Sequence, residues 1–348
     1  MNGITTRVHI VSCEEGAGAW YHQSEMLRSA FPQDSSLELV GEPSEADVIL
    51  ITDLRDRDDY FQSLREHPSV KQFPEKCFAV GEDDKPPRWL RGIQTSMTQS
   101  SFNLGRFRSG AYTLFHHDFL NPYVRAAAKA PPPRRDPRYL FTFIGRGCIP
   151  MRRRLLTVPF FRSDVLVSDS SAYNAFTRDR SGRDESSQRY LQLMLDSKFA
   201  LCPRGIGAAS IRLFEALSLG VAPIIISDRW LLPPGPRWGE IALFVRETEL
   251  DQIERIAIAH ESEWEERGYR ARLAFNKYFS LESYVRYLVN SALEIKQKQH
   301  VPERWIHRLW PVAIQIERAR RRAARVHGGL RRRLSHLGRI RRSGVLNT

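Results

Sequence analysis

The chain has 348 residues, of which 42% are hydrophobic and 27% are charged, and its formal net charge is +13. This length is enough for two domains and the composition is that of a folded protein, so a peptide hormone and a disordered chain are excluded. The charge is concentrated in residues 301–348, which contain 13 Arg, no Lys and two Glu, so the nearly neutral body is not expected to bind nucleic acid specifically.

Short β-branched runs alternate with helical patterns in the first half of the chain, which is typical of a parallel α/β sheet. The predicted elements are strands at 7–12, 47–52 and 76–81 and a helix at 20–31, preceded by a glycine turn at 16–18. The pattern restarts after a proline-rich segment, with strands at 139–144, 164–168, 198–202, 221–226 and 241–245 and helices at 188–197, 210–219 and across 248–291.

Two Rossmann-like halves joined by a stiff linker place a cleft at the carboxyl ends of their strands. We expect an acceptor domain at 1–125, a linker at 126–137, a donor domain at 138–298 and a basic helical tail at 299–348.

The four cysteines, Cys13, Cys77, Cys148 and Cys202, are spread singly without the spacing of a zinc site, so we expect reduced thiols. The apolar stretch near the N-terminus ends before Glu14 and is too short for a signal peptide. The sequence therefore predicts a cytoplasmic protein.

The densest chemical signal lies in residues 197–228. A strand leads into a loop with Arg204, Gly205 and Gly207, and Ser210 is a plausible N-cap for the next helix. Arg212 falls in the first turn, where a cation opposes the helix dipole, so an anion such as phosphate is expected between them. Glu215 could accept hydrogen bonds from two ribose hydroxyl groups; the alternative is an ion pair with Arg212.

These residues resemble the exostosin-type glycosyltransferases. The similar motifs are Ser-Lys-Phe-x-Leu-Cys-Pro-Arg-Gly at 197–205, Ser-x-Arg-x-x-Glu-Ala at 210–216 and Gly-x-x-Pro-x-Ile-x-x-Asp at 220–228, followed by Leu232-Pro233 and Trp238. The resemblance extends upstream through 139–155 and more faintly into 42–50. The proline-rich segment 231–236 departs from the family pattern, which leaves the donor sugar open.

The resemblance implies a GT-B fold, an α/β class with two Rossmann-like domains facing a cleft, whose C-terminal half binds the sugar nucleotide without a catalytic metal or other cofactor. Carried over onto this chain, Arg146, Arg204 and Arg212 would neutralise the diphosphate. Ser210 and backbone amides of the loop from Gly205 through Gly207 to Ala209 would assist them, Glu215 would bind the ribose and Asp228 would face the sugar.

The family is largely inverting, so a base is expected from the N-terminal half. Asp83 follows the strand at 76–81 and is the preferred candidate; the alternative is a solvated carboxylate. Asp53 and His116 are weaker candidates, because helix capping and packing explain them as well, and His22 and His117 are similar. Asp56-Arg57-Asp58 matches a metal-binding motif formally but lies in a charged stretch, and the glycines at 16–18 lack a dinucleotide fingerprint.

Residues 305–326 approximate a helix with an apolar face that includes Leu309 and Trp310, and Arg on its other faces. This pattern indicates a peripheral contact with an anionic membrane surface or polyanion through 305–342. The alternative is a helix that packs Trp305 and Trp310 onto the body and leaves a disordered Arg-rich end.

We expect a glycosyltransferase that moves a sugar from a UDP-sugar to a glycan or lipid-linked acceptor, in polysaccharide or glycoconjugate synthesis at the cytoplasmic membrane face. The rival is a non-catalytic polyanion- or membrane-binding protein that acts through its tail.

Overall fold

The computed structural model describes residues 5–13, 22–54, 61–84, 87, 89–99, 105–113, 116, 121–130, 135–170, 183–316 and 318–320. The chain divides into two compact units, Met1–Gln299 and His300–Thr348. Both sheets described below lie in the first unit. No helix of the described residues is long and apolar enough to cross a membrane.

The first sheet is parallel and has the strand order β2-β1-β3-β4-β5-β6. Its strands are β1 (Thr6–Ser12), β2 (Leu37–Leu39), β3 (Val48–Thr52), β4 (Cys77–Gly81), β5 (Gly92–Gln94) and β6 (Phe107–Ser109). The helices along this part of the chain are α1 (Gln23–Ser29), α2 (Gln62–Glu66), α3 (Pro68–Gln72) and α4 (Pro122–Lys129). Every residue of β3 and β4 is buried, as expected for central strands covered on both faces.

The second sheet is also parallel, with the order β11-β10-β9-β7-β8. Its strands are β7 (Tyr139–Gly145), β8 (Val165–Asp169), β9 (Ser197–Pro203), β10 (Ala222–Ile226) and β11 (Leu243–Phe244). The helices that follow β7 along the chain are α5 (Pro150–Leu155), α6 (Arg183–Leu195), α7 (Ile211–Leu219), α8 (Trp238–Ile241), α9 (Ile253–Ala259), α10 (Trp264–Ala274) and α11 (Leu281–Lys298). The predicted GT-B-like class, with two parallel α/β sheets, is confirmed.

Backbone hydrogen bonds join the loops at the carboxyl ends of the two sheets. The N–H of Gln99 donates to Arg229 O and the N–H of Leu231 donates to Met97 O, both at 2.9 Å. Trp230 lies between these bonds, and its Nε1 donates to Thr95 O at 2.9 Å. The carboxyl edges of the two sheets therefore face each other, as the predicted cleft requires.

Helix α11 follows the second sheet along the chain but packs on β3, β5 and β6 of the first. Tyr284 fixes this crossing, because its buried hydroxyl group accepts a hydrogen bond from Ala111 N at 3.0 Å. The first sheet thus packs against a helix that begins 172 residues after its last strand (281 − 109).

The structure differs from the predicted elements in several places. The strand predicted at 241–245 is only Leu243–Phe244, because Ile241 ends helix α8. The short strands β2, β5 and β6 have three residues each, too few to show a period in the sequence. The predicted linker at 126–137 begins too early, because residues 126–129 belong to α4. The first helix begins at Gln23 rather than Trp20, and the glycine turn at 16–18 lies outside the described residues.

In the unit His300–Thr348, residues 303–316 are helical. Trp310 and Ile314 are buried, whereas Trp305, Leu309, Val312 and Ile316 are 50–63% exposed. The single apolar face predicted for this helix is therefore wrong, since Leu309 lies on an exposed stripe and Trp310 does not. Of the two tryptophans that the alternative buries, Trp310 is 7% exposed, as expected, and Trp305 is 51% exposed, which contradicts it.

Candidate functional site

The hydroxyl group of Tyr190 on α6 joins Arg212 to Glu215 on α7. Arg212 Nε donates to Tyr190 Oη at 3.0 Å, and Tyr190 Oη donates to Glu215 Oε2 at 2.5 Å. The sequence allowed a direct ion pair between Arg212 and Glu215, but each instead bonds to this hydroxyl group. Tyr190 carries no motif signal and was missed by sequence reasoning.

Burial affects the pKa values of Glu215 and Arg212. Burial raises the pKa of Glu215 above its ordinary value, although the Tyr190 hydroxyl group and the Arg212 charge act against it. Burial by itself would lower the Arg212 pKa, but the Tyr190 oxygen and the Glu215 carboxylate outweigh it and raise that pKa. Arg212 is therefore a permanent cation in a half-buried position.

Two guanidinium groups pack against the ring of Phe143 on β7. Arg212 Cζ lies 4.5 Å and Arg152 Cζ 5.8 Å from the ring centroid. Arg152 donates to the carbonyl oxygens of Arg204 and Pro203 at 2.7 and 2.8 Å, and Arg212 donates to that of Ile144. Both cations thus bond to neutral oxygens at the carboxyl ends of β7 and β9. Burial lowers the Arg152 pKa, and the charge of Arg212 adds to that effect.

Arg204 is paired with an acid that the sequence did not reveal. Its Nε lies 2.7 Å from Glu247 Oε1, and the N–H of Glu247 donates to Asp228 Oδ1 at 2.9 Å. Burial by itself would raise the Glu247 pKa, but hydrogen bonds from Arg204 and from the N–H of Asp228 lower it. Arg204 is therefore already neutralised, whereas the exposed Arg146 makes no hydrogen bond or ion pair within the described part of the chain.

The loop from Gly205 to Ser210 opens toward the first sheet. Gly205 N–H donates to Ala209 O at 3.1 Å, and Gly207 N–H donates to Asp84 Oδ1 at 2.8 Å. A Cβ at Gly207 would lie 2.5 Å from Ser96 Oγ, so only glycine permits this approach. Ser210 is the N-cap residue of α7, as predicted, but its side chain makes no capping hydrogen bond.

Asp83 lies beside this contact, because its neighbour Asp84 is the residue that reaches the Gly207 amide. Glu82 points the other way and accepts from Gln23 Nε2 and from Thr113 N. The acidic run after β4 is therefore split between the two halves of the molecule, and Asp83 stays a candidate base.

Asp53 has a structural role. It is 6% exposed, has a φ of +55° and accepts hydrogen bonds from the N–H groups of Gln23 (2.7 Å) and Ser24 (3.3 Å). Its carboxylate thus caps the first turn of α1. A carboxylate held this way presents no open face to an acceptor hydroxyl group, so this geometry argues against Asp53 as the base.

His116 packs against the turn after α10. Its Nε2 lies 3.4 Å from Phe279 O, its ring centroid lies 6.0 Å from that of Phe275, and burial lowers its pKa to about 4. So weak a base inside the packed interior does not suit proton abstraction. His22 is exposed at the start of α1, 3.8 Å from Glu25, and His117 and Asp56-Arg57-Asp58 lie outside the described residues.

No group of three or more His, Cys, Asp or Glu side chains that could hold a metal ion occurs in the described ranges. Metal independence stays a prediction.

A model of the exostosin GT47 domain matches residues 65–259, more than half of the chain. The matched range includes β4 to β11 and every donor-site residue predicted from the sequence.

Curated relatives are similar to part of this chain. An exostosin-1 homolog of Caenorhabditis elegans is 28% identical over 165 residues, which are 42% of this chain and 42% of that protein. A probable glucuronosyltransferase of rice, GUT1, is 41% identical over 71 residues, or 20% of this chain and 17% of that protein. The chain thus spans less than half the length of these relatives.

Solved structures of low similarity cover most of the chain. An alpha1,3-fucosyltransferase has a TM-score of 0.40 at 14% identity. The match covers 86% of this chain and 93% of the fucosyltransferase chain. A glycosyltransferase from Rickettsia africae has a TM-score of 0.41 at 11% identity. The match covers 85% of this chain and 99% of that protein's chain.

Replacing Tyr190 by Phe should lower the free energy of unfolding by about 1–3 kcal/mol, because Arg212 and Glu215 lose the hydroxyl group that they share. Urea denaturation measures this change. Tyr269→Phe is the control, since that side chain is 60% exposed and its hydroxyl group is solvated. Equal stability of Y190F and the wild type would show that the hydroxyl bridge does not form in solution.

Proposed function

This chain belongs to the exostosin GT47 family, and we propose that it transfers a sugar from a UDP-sugar to a glycan or lipid-linked acceptor by an inverting, metal-independent reaction. The observation that carries the proposal is the half-buried positive charge of Arg152 and Arg212, whose hydrogen bonds go to carbonyl and hydroxyl oxygens. Taking a cation partly out of water with only neutral hydrogen-bond partners costs free energy, and a bound anion would offset that cost. The diphosphate of a sugar nucleotide supplies that anion.

The arrangement suits the leaving group of glycosyl transfer. When the bond between the sugar and the diphosphate breaks, negative charge grows on the phosphate oxygens, and fixed cations stabilise it without a metal. Arg152, Arg212 and the exposed Arg146 would share this role at the ends of β7 and β9. Arg204 differs from its predicted role, because Glu247 already pairs with it and it fixes the loop instead.

Glu215 would bind the ribose with its second oxygen, because Tyr190 occupies Oε2. Asp228 is exposed at the end of β10, where the transferred sugar would lie, and its Oδ1 is oriented by the N–H of Glu247. Asp83 would take the proton of the acceptor hydroxyl group as that oxygen attacks the anomeric carbon and UDP departs. Asp84 would hold the loop at Gly207 in place.

UDP should raise the melting temperature of the full chain, since a ligand that binds only the native state stabilises it. Arg212→Ala should weaken UDP binding roughly 10- to 100-fold through loss of charge-assisted hydrogen bonds. Glu215→Gln should erase the preference for UDP over its 2′-deoxy analogue. Calorimetric titration measures both effects, and Arg237→Ala, an 84% exposed arginine paired with Glu240, is the control.

Millimolar UDP without effect on melting or binding would contradict the proposed donor. The rival function, polyanion binding through the tail, would then be favoured.

Asp83→Asn should reduce kcat by about 10²- to 10⁴-fold and leave the affinity for UDP unchanged, because only proton transfer is removed. Asp84→Asn should instead change the affinity for UDP, since Gly207 loses its charged acceptor. Steady-state kinetics with EDTA present measure kcat, and calorimetry measures affinity. The opposite pattern in the two variants would identify Asp84 as the base, and loss of activity in EDTA alone would contradict metal independence.

The helix at 303–316 would bind the enzyme to the cytoplasmic face of an anionic membrane, where a lipid-linked acceptor is found. Its exposed stripe, Trp305, Leu309, Val312 and Ile316, repeats at helical spacing. Arg304, Arg308 and Arg318 lie close to this stripe in the sequence, and such cations contribute about 1 kcal/mol each near an anionic surface.

A chain that ends at Trp310 should therefore bind vesicles containing anionic lipid much more weakly than the full chain, with UDP affinity retained. Sedimentation of the two chains with anionic and with neutral vesicles, at low and high salt, measures this difference. Equal binding by both chains, or binding insensitive to salt, would remove the membrane interaction from the proposal.

A further inference from the structure

A cavity of about 270 Å³ lies apart from the Arg212 site, between the proline-rich loop after β10 and the start of α11. Pro233 and Pro234 form one wall, Tyr278 and Phe279 a second, and Arg286 and Tyr287 a third. It adjoins the carboxyl end of β6, because Tyr287 Oη donates to Ser109 O. The cavity therefore opens at the same edge of the first sheet as the acidic run after β4.

Contacts within the protein hold the walls of this cavity in place without a ligand. Trp238 Nε1 donates to Pro233 O at 2.9 Å. Gly235 has a φ of +116°, and a Cβ there would lie 2.7 Å from the ring of Tyr278, so the loop rests directly on that ring. Residues Phe275–Phe279 form a π-helical turn, a feature that frequently occurs at functional sites. The cavity is thus preformed.

Of the two cations that line the cavity, Arg286 has acidic partners and the exposed Lys277 has none among the described residues. Arg286 pairs with Asp34 and Glu282. Lys277 pairs with no acid in the described part of the chain, and its Nζ lies 5.2 Å from the ring centroid of Tyr278. No acidic side chain lines the cavity. A negatively charged group on an occupant would therefore meet a lysine that has no acidic partner in the described residues and no acidic side chain in the lining.

The volume of the cavity and the rings that line it indicate which kind of molecule would carry the negative charge. The cavity is below the roughly 300–1,000 Å³ of pockets that hold drug-sized ligands, so one ring fits better than two. Proline and tyrosine rings offer flat C–H and aromatic faces with a polar rim, to which Ser283 and Asn290 add hydrogen-bonding groups. A pyranose, apolar on its ring faces and polar at its edge, is complementary to such walls.

We propose that this cavity binds one sugar residue of the acceptor, bearing an acidic substituent that Lys277 recognises. The assignment of the bound sugar to the acceptor rests on the proposed glycosyl transfer. The binding of an acidic sugar is argued from the cavity alone. It also gives a role to the loop at 231–236, which departs from the family pattern.

Saturation-transfer NMR on the full chain tests the proposal with three probes: glucuronate, glucose 6-phosphate and the neutral methyl glucoside. Transfer to at least one acidic probe should exceed transfer to the neutral probe at least threefold, and the stronger acid identifies the substituent as carboxylate or phosphate. Lys277→Gln should abolish this preference. Lys71→Gln, an exposed lysine on α3, should retain it.

Saturating UDP should leave the signal of the acidic probe unchanged, because the cavity is separate from the donor site. Equal transfer to all three probes, an unchanged preference in Lys277→Gln, or displacement by UDP would overturn the proposal. Failure of UDP itself to bind would instead refute the donor assignment, and the two failures are therefore distinguishable.

Discussion

The proposed donor site depends on positive charge that neutral oxygens hold at half-buried positions. Arg152 and Arg212 pack against Phe143, and their donors go to backbone carbonyl groups and to one tyrosine hydroxyl group. A carboxylate in the same position would satisfy these cations and leave nothing for a ligand. Because their partners are neutral, the cations are held in place and still available to an anion.

The edges of the two sheets face each other beside this charge. The loop at Gly207 approaches the first sheet so closely that a Cβ would collide with Ser96, and Asp84 accepts the hydrogen bond of its amide. Trp230 and helix α11 hold the same two edges together further along. The loop at Gly207 and the acidic run after β4 consequently meet where the two sheets face each other.

The acidic residues show that residue type and position in the sequence do not by themselves reveal the role of a side chain. Asp53 and Asp83 both follow a buried strand of the first sheet, and the sequence prefers Asp83 but keeps Asp53 as a weaker candidate. In the structure, Asp53 caps α1, whereas Asp83 lies beside a residue that contacts the second sheet. Helices distant in the chain decide which amide group comes within 3 Å of a carboxylate. A local sequence pattern therefore cannot predict this contact.

The sequence by itself determined the long strands, helix α7 and the cluster of Arg212 and Glu215, because hydrophobic period and motif spacing are local properties. It could not give the three-residue strands, whose pairing comes from neighbours rather than from their own residues. Tyr190, Glu247 and Lys277 were invisible for the same reason, since each acts through a partner at least 20 residues away or through a cavity wall built by another segment. Tertiary structure alone decided which charges are neutralised and which remain available to a ligand, because electrostatic pairing depends on distance in space.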